Sequence, residues 1–407
     1  MLIEYLKNNV KHGAIHIYLP DRTMQVVGQG EPEAHWVFND ASTMGRILRD
    51  PELELGETYM DGGWHTNPGG LITLIEILMC NFKETKEDGF MKRLIAALSK
   101  VLAFGNRITR SYKNVAHHYD LDEWVFRRFL DTGMFYSCAY FEYPGQTLEQ
   151  AQQAKCRLIA NKLILKPGQH VLDIGSGWGG MAFHLAENFG VKVTGITLSK
   201  EQLRVARDEA RRRDLEHLVE FKLEDYREHK GVYDRIVSVG MFEHVGAQHF
   251  KAYFDTVDRL LAEDGIAVIH TIGESRLSRS TNPWIRKYIF PGGYIPALSE
   301  MSRAVEKGHL IATDVEVLRL HYADTLAEWL NRFSSHREEV ADRHGERFCR
   351  MWEFYLASCS ASFRYWDLVV FHMQLTKRHG VVPNTRDYLY GGRTAGRWIE
   401  QGEKVTK

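Results

Sequence analysis

A glycine-rich turn directly after a buried strand pattern is the part of this chain whose residue types and spacing point most clearly to chemistry. Residues 171–180 read Val-Leu-Asp-Ile-Gly-Ser-Gly-Trp-Gly-Gly, and a helical pattern follows. Glycines allow a sharp turn and let a ligand approach the backbone more closely than a Cβ would permit. The sequence therefore predicts a site for a nucleotide-like cofactor, formed by Asp173, Gly175, Gly177 and Gly179.

The spacing of these glycines separates two classes of cofactor. A dinucleotide fold carries Gly-x-Gly-x-x-Gly and an acid about 20 residues further on. Here the spacing is Gly-x-Gly-x-Gly, that acid is missing, and Asp173 precedes the first glycine. The arrangement resembles motif I of S-adenosylmethionine-dependent methyltransferases, in which the acidic strand end orients the amino-acid part of the cofactor. The pattern favours S-adenosylmethionine over a nicotinamide dinucleotide.

Strand and helix patterns alternate around this turn in the order expected of βαβ units. Apolar strand patterns, with helical patterns between them, follow at 191–196, 219–223, 233–239 and 265–270. In such sheets, ligands bind at the carboxyl ends of the strands, beside the point where the strand order reverses. The predicted fold is α/β, a doubly wound, class I methyltransferase-like (Rossmann-like) sheet with a small N-terminal α+β domain.

Polar residues at two further strand ends suit the rest of such a cofactor. Thr197, Leu198 and Gln202 follow the second strand, where a ribose would lie. The acid that usually binds the ribose is displaced here, and Thr197, Ser199 or Gln202 could form the hydrogen bond instead. Ser199 has an alternative interpretation, as the ordinary N-cap of the next helix. Asp225 and Tyr226 follow the third strand, where adenine would lie, although an acidic pair such as Glu224-Asp225 is more often a solvated turn.

A carboxylate and an imidazole follow the next two strands. Glu243 comes just after the fourth strand, and His270 ends the fifth. Two such groups at the edge of a cofactor site are candidates for proton transfer. The alternative is that His270 is an ordinary core histidine, since 19 histidines make such coincidences common.

Several segments, taken in order, resemble the bacterial cyclopropane-fatty-acyl-phospholipid synthases and the related mycolic acid cyclopropane synthases. They are the glycine turn, Phe135-Tyr-Ser-Cys-Ala-Tyr-Phe141, 195–202, 234–246, 270–273, 288–293 and 350–352 with Cys359. The resemblance is close over roughly 110–375, and it implies that Tyr136 and Ser137 also contact the cofactor. One departure is Ser176, where the family commonly has cysteine.

The resemblance implies transfer of a methylene group to the cis double bond of an unsaturated phospholipid acyl chain. Methyl transfer leaves a carbocation, and loss of a proton from the added methyl closes the cyclopropane ring. The implied proton acceptor is bound bicarbonate, which makes bicarbonate a second cofactor. Its implied ligands are Cys138, Glu243, His270, the backbone of Ile272, and Tyr322.

Cys359 aligns with a cysteine that the family labels as catalytic. No base is adjacent in the sequence, and the mechanism needs no covalent intermediate, so a nucleophilic role is disfavoured. The aromatic residues near the motifs suit an acyl tunnel that shelters a carbocation by cation–π contact. For any one of these residues, an ordinary aromatic core is the commoner role.

Composition narrows the function classes. The chain has 407 residues and a formal net charge of -1, so charge gives no reason to expect nucleic acid. The five cysteines show no metal-ligand spacing, and no metal site is predicted. No signal peptide or spanning segment is evident. We expect a cytoplasmic enzyme in peripheral contact with membrane phospholipids, and the resemblance suggests a homodimer.

A length of 407 residues predicts two domains or one domain with large insertions. The predicted organisation is an N-terminal domain over 1–88, a linker helix over 89–114 and a methyltransferase domain over 115–407. The linker carries six Lys or Arg and no Asp or Glu, with an apolar stripe from Phe90 to Leu102. Such a helix suits an anionic lipid surface, although docking on the protein core is the commoner use of an amphipathic helix.

Two rival functions remain. A relative of these synthases could methylate an alkene or a head group without closing a ring, although the side chains implied for bicarbonate favour ring closure. A non-catalytic lipid-binding protein is disfavoured by the intact glycine turn together with Glu243 and His270.

Overall fold

The computed structural model describes residues 2–82, 122–278 and 281–390. The N-terminal part forms a four-stranded sheet in the order β2-β1-β3-β4, covered by four helices. Its elements are α1 Leu2–Asn9, β1 Gly13–Tyr18, β2 Met24–Gln29, β3 Glu33–Phe38, α2 Ala41–Arg49, α3 Pro51–Met60, β4 Trp64–His65 and α4 Gly70–Phe82.

Local sequence explains these elements. Asp40 and Asp50 cap α2 and α3, their side chains accepting backbone N–H groups of Ser42 and Leu53. The apolar run at 71–79, too short to span a membrane, is the buried helix α4. Mixed α and β structure before residue 80 confirms the predicted character of this part.

The remaining residues form a seven-stranded sheet with helices on its faces. Its elements are α5 Glu123–Phe129, α6 Leu148–Leu163, β5 His170–Ile174, α7 Gly180–Phe189, β6 Lys192–Thr197, α8 Lys200–Arg212, β7 Val219–Leu223, β8 Tyr233–Val239, α9 Phe250–Leu260, β9 Leu261–Glu274, α10 Pro283–Tyr288, α11 Leu298–Glu306, β10 Ile311–Leu318, α12 His321–Ser335, α13 Arg337–His344, α14 Glu346–Tyr365 and β11 Leu368–Thr376.

The strand order is β10-β11-β9-β8-β5-β6-β7. Strands β5 to β9 are parallel, which confirms the predicted doubly wound sheet, and the order reverses between β5 and β8. Strands β10 and β11 add an antiparallel edge that the sequence patterns did not predict. The glycine turn therefore lies at the switch point, where a ligand is expected.

The two sheets are joined by one apolar core. Residues of the small sheet belong to the same buried cluster as residues of α5, α12 and α14. A Cβ at Gly56 of α3 would come within 2.5 Å of the Trp284 indole on α10, so the two helices meet at this glycine. The domain boundary and the 89–114 helix lie outside the described residues, and both stay predictions. Among the described helices, none is long and apolar enough to cross a bilayer.

Candidate active site

A cavity opens at the carboxyl ends of β5, β6 and β8 and encloses about 1230 Å³, its open mouth included. Its wall contains ten of the residues predicted to bind the cofactor: Tyr136, Ser137, Asp173, Gly175, Gly177, Thr197, Leu198, Gln202, Asp225 and Tyr226. Gly179 is not part of this wall. A Cβ there would lie 2.7 Å from Phe221 and 2.8 Å from Phe183, so packing beneath the turn requires this glycine.

The other two predicted glycines have left-handed backbones, which favour glycine. The φ angle is +85° at Gly175 and +55° at Gly177. A Cβ at Gly175 would lie 2.9 Å from the side chain of Met241, whereas one at Gly177 would meet no described atom within 4 Å. Gly175 therefore lets the turn pack against the loop after β8, and Gly177 keeps space open in the cavity wall.

Asp173, near the end of β5, presents a buried acceptor to this cavity. The residue is 1% exposed, and its Oδ2 has no hydrogen-bond partner among the described residues. Burial raises the pKa of Asp173 to about 7, although the cation of Lys155 opposes the shift. A buried acceptor of this kind needs a donor, which the ammonium group of an amino acid supplies. The residues present therefore fit S-adenosylmethionine.

The polar residues after β6 and β7 are held by their own contacts. The Thr197 hydroxyl donates to the Gln202 side-chain oxygen at 2.9 Å, and Ser199 Oγ accepts from the Gln202 backbone N–H at 3.2 Å. The N-cap interpretation of Ser199 is thereby confirmed. The Asp225 carboxylate accepts two guanidinium bonds from Arg227, at 2.8 and 2.6 Å. These contacts fix the walls on which ribose and adenine were predicted to rest.

Glu243 lies in a short 3-10 helix, Phe242–His244, that follows β8. Its Oε1 accepts the backbone N–H of Ile272 on β9 at 2.7 Å, so the structure brings these two predicted residues together. Its Oε2 is buried and has no hydrogen-bond partner among the described residues. Burial raises the pKa of Glu243 to about 7. The carboxyl group is therefore poised to exchange a proton near neutral pH.

His270 lies two residues before Ile272 on β9, paired with Val239 at the end of β8. The residue is 1% exposed, and its Nδ1 lies 2.7 Å from Nε2 of His372 on β11. Burial lowers the pKa of His270 well below its usual value. A neutral imidazole and the Glu243 carboxyl thus share one edge of the sheet.

Cys138 and Tyr322 are positioned by α12. The backbone N–H of Ala139 donates to Thr325 Oγ1 at 3.0 Å, one helical turn after Tyr322. The Cys138 thiol donates to the Ala139 carbonyl at 3.1 Å, and burial raises the pKa of this thiol. The Tyr322 ring packs 4.9 Å from that of Phe363. Cys138 therefore lies next to a residue bonded to α12, the helix that carries Tyr322. Glu243 is bonded instead to Ile272 on the sheet.

Cys359 lies on α14, one turn after Tyr355, whose hydroxyl is 2.8 Å from that of Tyr136. Burial raises the pKa of Cys359 to about 12. A thiol that stays protonated at neutral pH is a weak nucleophile, in agreement with the disfavoured nucleophilic role.

Comparison with known proteins decides the family. The profile of the mycolic acid cyclopropane synthetase family matches residues 106–373. The chain belongs to this family. A cyclopropane-fatty-acyl-phospholipid synthase of Escherichia coli (strain K12) is 39% identical to this synthetase-family enzyme over 332 residues, 82% of this chain and 85% of that relative.

Two further relatives of this synthetase-family enzyme bear on its activity. The tuberculostearic acid methyltransferase UfaA1 of Mycobacterium tuberculosis is 33% identical over 388 residues, 91% of this chain and 90% of that relative. The mycolic acid cyclopropane synthase CmaA1 was solved in complex with CTAB and with SAH (S-adenosylhomocysteine). That structure matches with a TM-score of 0.61 at 32% identity, and the match covers 65% of this chain and 97% of CmaA1. Fold and family make the protein an S-adenosylmethionine-dependent methyltransferase.

Three buried polar residues that sequence analysis missed hold the cavity wall of this synthetase-family enzyme. Asp131 accepts two backbone N–H groups, at 2.8 and 3.0 Å, from the turn that leads into Tyr136. The Gln152 amide donates to the Ser137 carbonyl at 3.0 Å, and Lys155 Nζ donates to Ser137 Oγ at 2.9 Å. Gln152 and Lys155 are an i, i+3 pair on a buried face of α6. Polar residues at helical spacing on a largely apolar face, with Lys162 as a third, were the available signal.

Proposed function

We propose that this enzyme transfers the methylene derived from the methyl group of S-adenosylmethionine to the cis double bond of an unsaturated acyl chain in a membrane phospholipid, closing a cyclopropane ring. The proposal extends family membership to a substrate class and a mechanism. The cyclopropane-fatty-acyl-phospholipid synthase relative, which covers most of the chain, supports the substrate. The SAH-bound relative supports the cofactor.

The observation that carries the mechanism is the half-satisfied carboxyl of Glu243. One oxygen is held by the Ile272 N–H, while the other is buried without a described partner. A carboxylate held in this way can accept an O–H from a small acid such as bicarbonate, and that contact makes the remaining oxygens of the acid more basic. The orphaned oxygen therefore fits bicarbonate as the second cofactor.

The other members of the proposed set supply donors. The Nε2 atom of His270 and the hydroxyl of Tyr322 can each donate to an anion. We assign Cys138 to the wall of this site, because the next residue, Ala139, is bonded to Thr325, one helical turn after Tyr322. When bound, bicarbonate would supply a base that removes one proton from the added methyl group.

An alkene is a weak nucleophile, so the residues must exclude water and align the reacting atoms. When bound, S-adenosylmethionine would supply an electrophilic methyl group. Phe290 and Tyr355, with ring centroids 5.9 Å apart, lie beside the cavity residue Pro291 and beside Tyr136. We assign these aromatic side chains to the wall of the acyl passage, where their faces stabilise positive charge on the substrate.

The product formed on purified phospholipid tests this function. Ring closure and methylation with loss of a proton both add one CH2 to the lipid, so mass alone does not distinguish them. We expect proton NMR of the product to show cyclopropane ring protons and no olefinic protons from the converted chain. Product that retains olefinic protons would reject ring closure.

Methylation of a lipid alkene without ring closure is the second candidate function. The relative named tuberculostearic acid methyltransferase covers 91% of the chain, which favours this candidate specifically. The same NMR experiment decides between the two, because loss of a proton without ring closure leaves a methylene-branched or methyl-branched alkene, whose signals differ from those of a cyclopropane.

Cofactor binding should release a proton at mildly acidic pH. The pKa of Asp173 is raised to about 7 by burial, so the empty site holds this carboxyl largely protonated below pH 7. The ammonium group of the ligand favours the carboxylate, so binding of SAH expels the proton. We expect release of about one proton at pH 6 and much less at pH 8, where Asp173 is already largely ionised before the ligand binds, measured by calorimetry in buffers of different ionisation enthalpy.

The variant Glu243→Gln is the control for this measurement, because the pKa of Glu243 is also raised to about 7 by burial. Release at pH 6 should persist in that variant. Binding without proton uptake or release at pH 6 would contradict the role of Asp173.

We also propose that the enzyme works as a homodimer in peripheral contact with the cytoplasmic face of the membrane. The homodimer is suggested by the family resemblance. The support for membrane contact is the bilayer-held substrate and the basic, apolar 89–104 sequence, which lies outside the described residues. Changing Lys92, Arg93 and Lys100 to Glu should weaken binding to anionic vesicles by about 1 kcal/mol or more per site. Co-sedimentation measures this, with zwitterionic vesicles as control, and unchanged binding would contradict the membrane role.

A further inference from the structure

A line of buried polar groups leads from His270 toward the protein surface. His270 Nδ1 is 2.7 Å from His372 Nε2, and His372 Nδ1 is 3.1 Å from Lys162 Nζ. Lys162 in turn forms an ion pair with Glu316 on β10 at 2.6 Å. The line crosses four elements, because His270 and His372 pair across β9 and β11, Lys162 comes from α6 and Glu316 from β10.

The three inner groups are closed off from water. Lys162 and His372 have no exposed surface, and His270 is 1% exposed. Burial lowers the pKa of both histidines well below the usual value, and the Lys162 cation adds to this effect. Both imidazoles are therefore neutral at working pH, so each carries a single ring proton.

Counting hydrogens along the line leaves one arrangement. A lysine ammonium has donors and no acceptor, so Lys162 donates to Nδ1 of His372. The His372 proton must then lie on Nε2, where it donates to Nδ1 of His270. The His270 proton must lie on Nε2, the ring nitrogen that His372 does not engage.

We propose that Lys162 and His372 are positioning residues that hold His270 in the tautomer with Nε2 protonated, so that it presents a hydrogen-bond donor to the anion used in proton removal. This inference rests on the proposed function for the identity of that anion. Because an imidazole with a lone pair on Nε2 would repel a bicarbonate oxygen, the tautomer governs anion binding more than cofactor binding.

The surrounding charges agree with this assignment. Lys155 and His321 are the other titratable groups that act on His372 or His270. Neither is a carboxylate, so neither can stabilise a protonated, positively charged ring. Asp314, Glu316 and Arg386 act on Lys162, with Glu316 in direct contact. Burial lowers the pKa of Lys162, and the contact with the Glu316 carboxylate opposes that shift, which favours the charged ammonium group that donates along the line.

Two substitutions of similar volume separate tautomer control from packing. In His372→Gln, the amide NH2 can donate to His270 while the amide oxygen accepts from Lys162, so the tautomer should survive. In His372→Leu, neither bond can form. We expect the bicarbonate concentration for half-maximal activity to rise about tenfold in His372→Leu, the loss expected for one hydrogen bond to a charged group, and to stay near wild type in His372→Gln.

The tautomer is measured directly by nitrogen NMR of the full-length protein labelled with 15N-histidine, with the His270 signals assigned by their absence in His270→Ala. Nε2 should be protonated in the wild type and in His372→Gln, and the distribution should change in His372→Leu and Lys162→Met. His184→Leu, at a buried histidine bonded to Gln153, is the matched control. SAH binding in each variant checks that the site is folded.

Protonation of His270 on Nδ1 in the wild type would overturn the inference, as would equal bicarbonate dependence in the Leu and Gln variants. An enzyme that turns over fully without bicarbonate would reject the proposed proton acceptor. The NMR result would then still decide the tautomer by itself.

Discussion

Replacing Glu243 by alanine should lower kcat by about 10²–10⁴-fold, the contribution of one well-placed acid–base group, while the affinity for SAH stays close to that of the wild type. The carboxyl contacts the Ile272 N–H and has an orphaned buried oxygen, but it is absent from the wall of the cofactor cavity. The loss should therefore appear in turnover. Activity measured against bicarbonate concentration should show that the residual turnover no longer responds to the anion.

Stability separates this role from a structural one. Burial raises the pKa of Glu243 from its ordinary value to about 7, so the unfolded state ionises more readily than the folded state. The carboxyl therefore costs stability progressively as pH rises from about 4.5 to 7, and the full cost remains above pH 7. Glu243→Gln should melt no lower than the wild type at pH 8, while losing activity.

The matched control is Glu353→Gln. Glu353 is another carboxyl whose pKa is raised by burial, but it contacts Arg337 and Tyr59 away from the cavity. This variant should keep its kcat and its response to bicarbonate. Wild-type turnover in Glu243→Ala, or full activity in buffer free of bicarbonate, would contradict the assignment.

The second large effect is expected in the glycine turn. Asp173→Asn should weaken SAH binding by roughly 10- to 100-fold, because a hydrogen bond to a charged group contributes about 1.5–3 kcal/mol. Gly175→Val should abolish binding. Its φ of +85° strains a branched residue, and the added Cβ lies 2.9 Å from Met241, so the turn must move. Calorimetric titration with SAH measures both losses.

Gly168→Val is the control for strain alone. Its φ is +83°, its Cβ would meet no described atom within 4 Å, and it lies outside the cavity wall. This variant should lose some thermal stability and keep its affinity for SAH. Normal SAH binding by Gly175→Val would mean that the cofactor site is elsewhere.

The sequence alone was enough to predict the parallel part of the sheet. Strands β7 and β8 begin and end where their apolar patterns predicted. Each of these signals is local, because periodicity and turn glycines act over a few residues. The end of each strand is also a local signal, and parallel topology brings the ends of β5, β6 and β8 to one edge of the sheet. Residues at these strand ends were recognised for that reason.

Tertiary structure decided the contacts between distant segments. Strands β10 and β11 pair residues that are 52 to 65 positions apart in the sequence, and no local pattern specifies that partner. Lys155 and Asp131 support the cavity wall from positions that sequence analysis passed over. His372 meets His270 across 102 residues, and Lys162 meets His372 across 210. Chain composition determined which groups were available to the site, whereas packing of the folded chain determined which of them lost water, found partners and acquired shifted pKa values.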